Sequence, residues 1–67
     1  MIIKLTKHAS DKMVLLGITK QQIKDTIKRG SKFNQTDGYL AVYGYVKVAY
    51  KILDKDTFLI KTVYITR

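Results

Sequence analysis

The chain has 67 residues, with 13 Lys or Arg against five Asp and no Glu, so its net charge is +8. This length allows one domain with a small hydrophobic core, and a charge this high favours a polyanionic partner. With no cysteine and a single histidine, disulfide bonds and a structural zinc site are excluded. The alternative explanation of the charge is general solubility.

No segment resembles a targeting or membrane sequence. Residues 1–5 are too short for the core of a signal peptide, and no apolar run approaches the ~18 residues of a membrane span. We therefore expect a cytoplasmic protein with no membrane partner. Because the core is small, a homodimer interface is one way to complete it.

The first predicted helix runs from about Lys7 to Leu16, with Thr6 as its N-cap and Gly17 at its C-terminal end. Its apolar stripe consists of Ala9, Met13 and Leu16. His8 and Lys12 are one turn apart and lie beside this stripe, at the edge of the core.

The second predicted helix begins with a capping box formed by Thr19 and Gln22, and Gly30 closes it. Ile18 and Ile23 form a hydrophobic staple, and Ile27 joins Ile23 on the inward side. A row of like charges follows the other side of this helix, at Lys20, Lys24 and Lys28. Like charges four residues apart repel, so the row either binds an anion or is a solvated face.

After Gly30 the apolar residues alternate, which predicts strands. Residues 31–36 form a weak strand, and Asp37-Gly38 predicts a type I′ hairpin turn. Residues 39–53 are interpreted as one long strand with a bulge or a bend at Gly44. Within it, alternation places Val46, Val48, Tyr50 and Ile52 on one face and Tyr45, Lys47, Ala49 and Lys51 on the other.

Residues 57–67 are apolar on both faces, which is typical of a central strand. The sequence therefore predicts a single α+β domain over residues 1–67. Two N-terminal helices would pack on one face of a three- to four-stranded antiparallel sheet.

Candidate functional residues lie at both ends of the chain. His8 is the only imidazole of the chain and so the natural candidate for proton transfer, and Lys12 is placed to hold a phosphate beside it. In the last strand, alternation puts Thr62 and Tyr64 on one face and Lys61 and Arg67 on the other. Packing, surface exposure and strand propensity are the competing explanations of these residues.

Five tyrosines lie among the lysines of the strands, at Tyr39, Tyr43, Tyr45, Tyr50 and Tyr64. Aromatic rings beside Lys47 and Lys51 suit stacking on bases next to phosphate contacts. An ordinary cross-strand aromatic ladder explains the same pattern.

The order of these elements resembles a small family of RelE/ParE-like domains of unknown function, in the barnase–EndoU–colicin–RelE superfamily of metal-independent ribonucleases. The pattern of that family is His-Ala, then Arg-Met after two residues, then Arg-Gly-Ile with Ser or Thr, and a late Thr-Val-Tyr strand. The chain matches it at His8-Ala9, Lys12-Met13, Gly17-Ile18-Thr19, Gly30 and Thr62-Val63-Tyr64. Leu16 departs from it, because the family often has Arg at this position.

The resemblance implies a toxin-type endoribonuclease that cleaves RNA by attack of the ribose 2′-OH and needs no metal or cofactor. His8 would transfer the proton, Lys12 would stabilise charge, and Thr62 with Tyr64 would orient the phosphate. Its implied partners are RNA, free or on the ribosome, and an acidic antitoxin protein. The alternative is a non-catalytic module on the same fold that binds nucleic acid or protein. The basic residues assigned to nucleic-acid binding are Lys20, Lys24, Lys28, Lys47, Lys51, Lys61 and Arg67.

Overall fold

The computed structural model describes residues 1–66, which form an α+β fold of two helices and five strands. The helices are α1 (Lys7–Leu16) and α2 (Lys20–Arg29). The strands are β1 (Ile2–Leu5), β2 (Ser31–Gln35), β3 (Gly38–Tyr43), β4 (Val46–Asp54) and β5 (Thr57–Ile65). Over residues 1–66, no helix is both long enough and apolar enough to cross a membrane.

Helix α1 has the predicted bounds because both of its ends carry capping residues. The side chain of Thr6 accepts a hydrogen bond from the Ala9 amide, which satisfies one of the free N–H groups of the first turn. Gly17 ends the helix in the left-handed conformation at a φ of 70°. Ala9 is buried, and Met13 and Leu16 pack against the core as predicted.

Helix α2 begins with the predicted capping box, in which Thr19 and Gln22 each bond the other's backbone amide. Gly30 ends the helix, but for a different reason than predicted. Its backbone is extended rather than left-handed. A Cβ at this position would collide with the carbonyl oxygens of Thr26 and Val42, so the glycine allows α2 to approach β3 closely.

The sheet has the strand order β1-β5-β4-β3-β2, and it is mixed. The prediction of a three- to four-stranded antiparallel sheet is wrong in one element, because residues 2–5 form a strand ahead of the helices. This strand pairs in parallel with β5, from Ile2 opposite Thr57 to Leu5 opposite Ile60. Its partner is more than 50 residues away in the chain, so no local pattern in four residues indicates the pairing.

Two turns also differ from the predictions. The β2–β3 turn consists of Thr36 and Asp37 rather than Asp37 and Gly38. A type I′ turn needs a positive φ at both central residues, and within residues 1–66 only glycines have one. The prediction of a type I′ turn at Asp37-Gly38 is therefore wrong. Gly44 and Tyr45 form a hairpin turn between β3 and β4, which means that residues 39–53 are two strands rather than one. Gly44 has a φ of 61° there, which suits a tight reversal.

The hydrophobic core lies between the helices and one side of the sheet, called here the helix face. Its buried members are Ala9, Ile18, Ile23, Ile27, Ala41, Val48, Tyr50, Ile60 and Val63. The predicted alternation along β4 is confirmed, since Val48 and Tyr50 point into this core. Strand β5 is central, as predicted, because it pairs with β1 on one side and β4 on the other.

The opposite side of the sheet is called here the open face. Both helices pack on the other side, and no further element of residues 1–66 covers it. Register places on it the side chains of Phe33, Leu40, Val42, Lys47, Ala49, Lys51, Leu59, Thr62 and Tyr64. This face is where several candidate functional residues meet.

Candidate functional site

Thr62 and Tyr64 lie on the open face, because Val63 between them points into the core. Thr62 is opposite Ala49, and Tyr64 is opposite Lys47 on the neighbouring strand β4. Both side chains are half-buried. The predicted pair of hydroxyl groups on one face is therefore present, and an ammonium group lies beside it.

His8 and Lys12 lie on α1, in the layer that packs on the helix face. His8 is exposed and Lys12 is half-buried. The hydroxyl of Thr6 donates to the carbonyl oxygens of Ile60 and Lys61, at 3.1 Å each, so the first turn of α1 is held beside β5 just before Thr62. The four predicted catalytic residues are thus divided between the two sides of the sheet.

The predicted nucleic-acid-binding lysines are divided in the same way. Lys20, Lys24 and Lys28 belong to α2 on the helix side. Lys47 and Lys51 project from β4 onto the open face. Arg67 lies outside the residues that the structure describes.

The position of Lys61 departs from the prediction because β5 contains a bulge. Ile60 pairs with Tyr50 and Thr62 pairs with Ala49, which leaves Lys61 as an extra residue between them. Its ammonium reaches Asp37 in the β2–β3 turn, where Lys51 also binds. The side chain of Lys61 is therefore on the open face, on the same side of the sheet as Thr62, whereas alternation predicted the other side.

The electrostatics of this corner were missed by the sequence analysis. Lys51 Nζ lies 3.4 Å from Oδ1 of Asp37, and Lys61 Nζ lies 3.4 Å from Oδ2. Hydrogen bonding and charge from Lys51, and then charge from Lys61, hold the pKa of Asp37 below its ordinary value. An Asp followed by Gly was interpreted only as a turn signal, because nothing local indicates which lysines it meets.

The centre of the open face is apolar. Leu40 and Val42 of β3 are half-buried there, and the small side chain of Ala49 lies between them and Thr62. Phe33 on the edge strand β2 is exposed beside Leu40. Phe33 was not predicted as a site residue, although it is the one large apolar side chain among the polar residues of β2.

The tyrosines serve two different purposes. Tyr39 and Tyr50 stack at 5.7 Å between ring centroids, and Tyr50 contacts Phe58 at the same distance. These three rings form an aromatic ladder on the helix face, which is the structural alternative that the sequence left open. Tyr64 belongs to the open face and takes no part in this ladder.

Two further features of residues 1–66 bear on chemistry. No group of three or more His, Asp or Glu side chains gathers there in a way that could hold a metal ion. A groove of about 430 Å³ lies where α1 turns into α2, and its lining includes Leu5, Met13, Val14, Ile18 and Lys20. None of the predicted catalytic residues lines this groove.

Comparison of the chain with family models, with curated proteins and with solved structures gave no match. The resemblance to RelE-like ribonuclease domains, and the RNA and antitoxin partners that it implies, therefore stay predictions.

Proposed function

We propose that this protein binds single-stranded RNA on the open face of its sheet. The observation that carries the proposal is the direct pairing of Lys47 with Tyr64 on a face that no element of residues 1–66 covers. Side chains paired in this way have their Cβ atoms about 4.5–5.5 Å apart. An ammonium group for a phosphate and an aromatic ring for a base are thus side by side.

The surroundings of this pair suit an unpaired base. Leu40, Val42 and Ala49 give an apolar floor, and the Thr62 hydroxyl offers a hydrogen bond at its border. Base stacking on an aromatic ring is worth about 1–3 kcal/mol for each base and tolerates any sequence. Phosphates would be held by Lys47, with Lys51 along the same strand.

The lysines of α2 form a weaker candidate surface. Lys20, Lys24 and Lys28 can attract phosphates, but α2 contains no aromatic residue on which a base could stack. Contacts of this kind position a polyanion without holding its bases. The open face combines both types of contact, so we place the RNA there.

The test compares two variants that each remove one positive charge. We expect Lys47→Gln to weaken binding of a labelled oligouridine by about five- to tenfold and to lower the log–log salt slope by about 0.7. Lys28→Gln on α2 should change affinity less than twofold. Fluorescence anisotropy at several salt concentrations measures both quantities.

Tyr64→Leu tests the stacking contact. It should weaken binding by about 1–3 kcal/mol while leaving the salt slope unchanged, because no charge is removed. Circular dichroism confirms that each variant is folded. Equal effects of Lys47→Gln and Lys28→Gln, or no binding at low salt, would contradict the proposal.

RNA cleavage is a second candidate, favoured by the hydrogen bonds of Thr6 to β5. They hold His8 near the strand that carries Thr62, at the edge where β1 ends. An RNA strand crossing the open face towards this edge would bring a phosphodiester to the imidazole. The ribose 2′-OH would give its proton to His8 and attack the phosphorus, the bond from phosphorus to the 5′-oxygen would break, and the protonated imidazole would return the proton to the leaving 5′-oxygen.

His8→Ala tests the cleavage candidate, with Lys12 of the same helix in a supporting role. We expect it to lower cleavage by about 10²–10⁴ while binding of the same RNA changes little. Products of the wild type should end in a 2′,3′-cyclic phosphate, in EDTA as well as without it. If the wild type binds RNA but does not cleave it, even with ribosomes present, the protein is a binding module.

A further inference from the structure

We propose that Lys51 and Lys61 form a subsite for one phosphate group of the bound RNA, and that Asp37 occupies this subsite while the protein is free. This inference rests on the proposed RNA binding. It adds where one phosphate of the RNA binds and which side chain of the protein competes with that phosphate. It starts from the two ion pairs of Asp37, which link the β2–β3 turn to β4 and β5 on the open face.

Each carboxylate oxygen of Asp37 has its own ammonium group. Oδ1 lies 3.4 Å from Lys51 Nζ, and Oδ2 lies 3.4 Å from Lys61 Nζ. Lys61 Nζ also donates a hydrogen bond to the main-chain oxygen of Asp37. A phosphodiester likewise presents two oxygens that share one negative charge, so the two ammonium groups are already spaced for it.

Two local features of the fold bring Lys61 and Asp37 together. The bulge in β5 makes Lys61 an extra residue, and this places its side chain on the open face. Gly38 lets the chain after Asp37 pass close to β4, since a Cβ there would collide with the Tyr50 carbonyl. With a φ of 118°, position 38 also favours glycine for its backbone.

Asp37 is held weakly enough to be displaced. Its side chain is 67% exposed, and ion pairs between exposed groups contribute little to stability. A phosphate in an RNA that is already held by other contacts on the open face carries the same negative charge. It loses less entropy on reaching the two lysines than a free anion would. Asp37 therefore competes with the RNA and lowers its affinity.

The test is Asp37→Asn, matched with Asp54→Asn. Asn is as favourable as Asp in a turn, so the fold is kept while the carboxylate is removed. Asp54 lies beside the β4–β5 turn and accepts a hydrogen bond from the Lys55 amide, so its replacement changes the net charge equally without freeing Lys51 or Lys61.

We expect Asp37→Asn to bind labelled oligouridine about two- to tenfold more tightly than the wild type at 50 mM salt. Asp54→Asn should differ from the wild type by less than twofold. Adding Lys51→Gln to the Asp37→Asn variant should remove the gain.

Three results would overturn the subsite. Asp37→Asn binding no more tightly than Asp54→Asn would show that the carboxylate does not compete. Weaker binding would show that Asp37 orders the lysines for the RNA. A gain that persists with Lys51→Gln would place its origin elsewhere. If the wild type does not bind RNA at all, the proposed function fails and the subsite fails with it.

Discussion

Tyr50 has a chemical environment unlike that of the other tyrosines. Its side chain is 2% exposed and lies between Tyr39 and Phe58 beneath the helices. Burial raises the pKa of its phenol above the ordinary value of 10.0, and the neighbouring Tyr39 adds to this shift. The native state therefore favours the neutral phenol.

This shift predicts a loss of stability in alkaline solution. Above about pH 10 the unfolded chain releases the Tyr50 proton while the native chain keeps it, so stability falls as the pH rises towards the native pKa. We expect Tyr50→Phe to reduce the fall in melting temperature between pH 9 and 11.

Tyr45→Phe is the matched control, since Tyr45 is 67% exposed in the β3–β4 turn. Its melting curves should follow those of the wild type at every pH. If the melting temperature of Tyr50→Phe falls as steeply with pH as that of Tyr45→Phe, the loss of stability in alkaline solution is caused by other groups, such as the lysines.

At the scale of elements, α2 depends on its N-terminus and on one buried isoleucine. The capping box fixes where the helix begins, and the staple of Ile18 with Ile23 orients it on the sheet. Ile23 is 0% exposed and belongs to the core with Ile27 and Val48. Most of the stability of so short a helix comes from this packing.

Ile23→Ala should therefore lower the free energy of unfolding by about 2–5 kcal/mol, through lost burial and the cavity that it leaves. A domain of this size has little stability to spare, so a large unfolded fraction is expected at room temperature. Urea denaturation followed by circular dichroism measures the loss.

Leu15→Ala on α1 provides the comparison. Leu15 is 75% exposed, and Ala is the better helix former, so the expected change is within about 0.5 kcal/mol. Similar losses from the two substitutions would show that α2 does not pack as described.

The whole molecule carries its positive charge on both layers. Lysines project from α2 on one side and from β4 and β5 on the other, within extents of only 28 × 23 × 22 Å. At low ionic strength the Debye length is comparable with these dimensions, so like charges repel across the entire domain. This repulsion opposes folding in the free protein.

Adding salt should therefore stabilise the protein. Raising NaCl from about 20 to 300 mM shortens the Debye length from about 20 to 6 Å, and we expect the melting temperature to rise by several degrees. A variant with Lys28→Gln and Lys55→Gln should show a smaller rise. A melting temperature that falls with salt would mean that the ion pairs of Asp37 outweigh the general repulsion.

The local elements were predictable because their signals are local. Thr6 and Gly17 bound α1, and Thr19 with Gln22 begins α2, since a cap acts on amides or carbonyls within one turn. For the same reason, the alternation of Val48 and Tyr50 with Lys47 and Lys51 predicted correctly which side of β4 faces the core. These features determine which residues become buried and which lysines remain outside.

The site was decided by contacts between residues distant in the chain. The parallel pairing of β1, the bulge at Lys61 and the meeting of Lys51, Lys61 and Asp37 each depend on how the strands align. Strict alternation put Lys61 on the wrong face, because one extra residue reverses the side to which a strand's following residues point. The sequence by itself determined the helices, the core side of β4 and the excess of positive charge. Only the tertiary structure decided that Thr62 and Tyr64 face away from the helix that carries His8, because an element's own periodicity does not specify its partner.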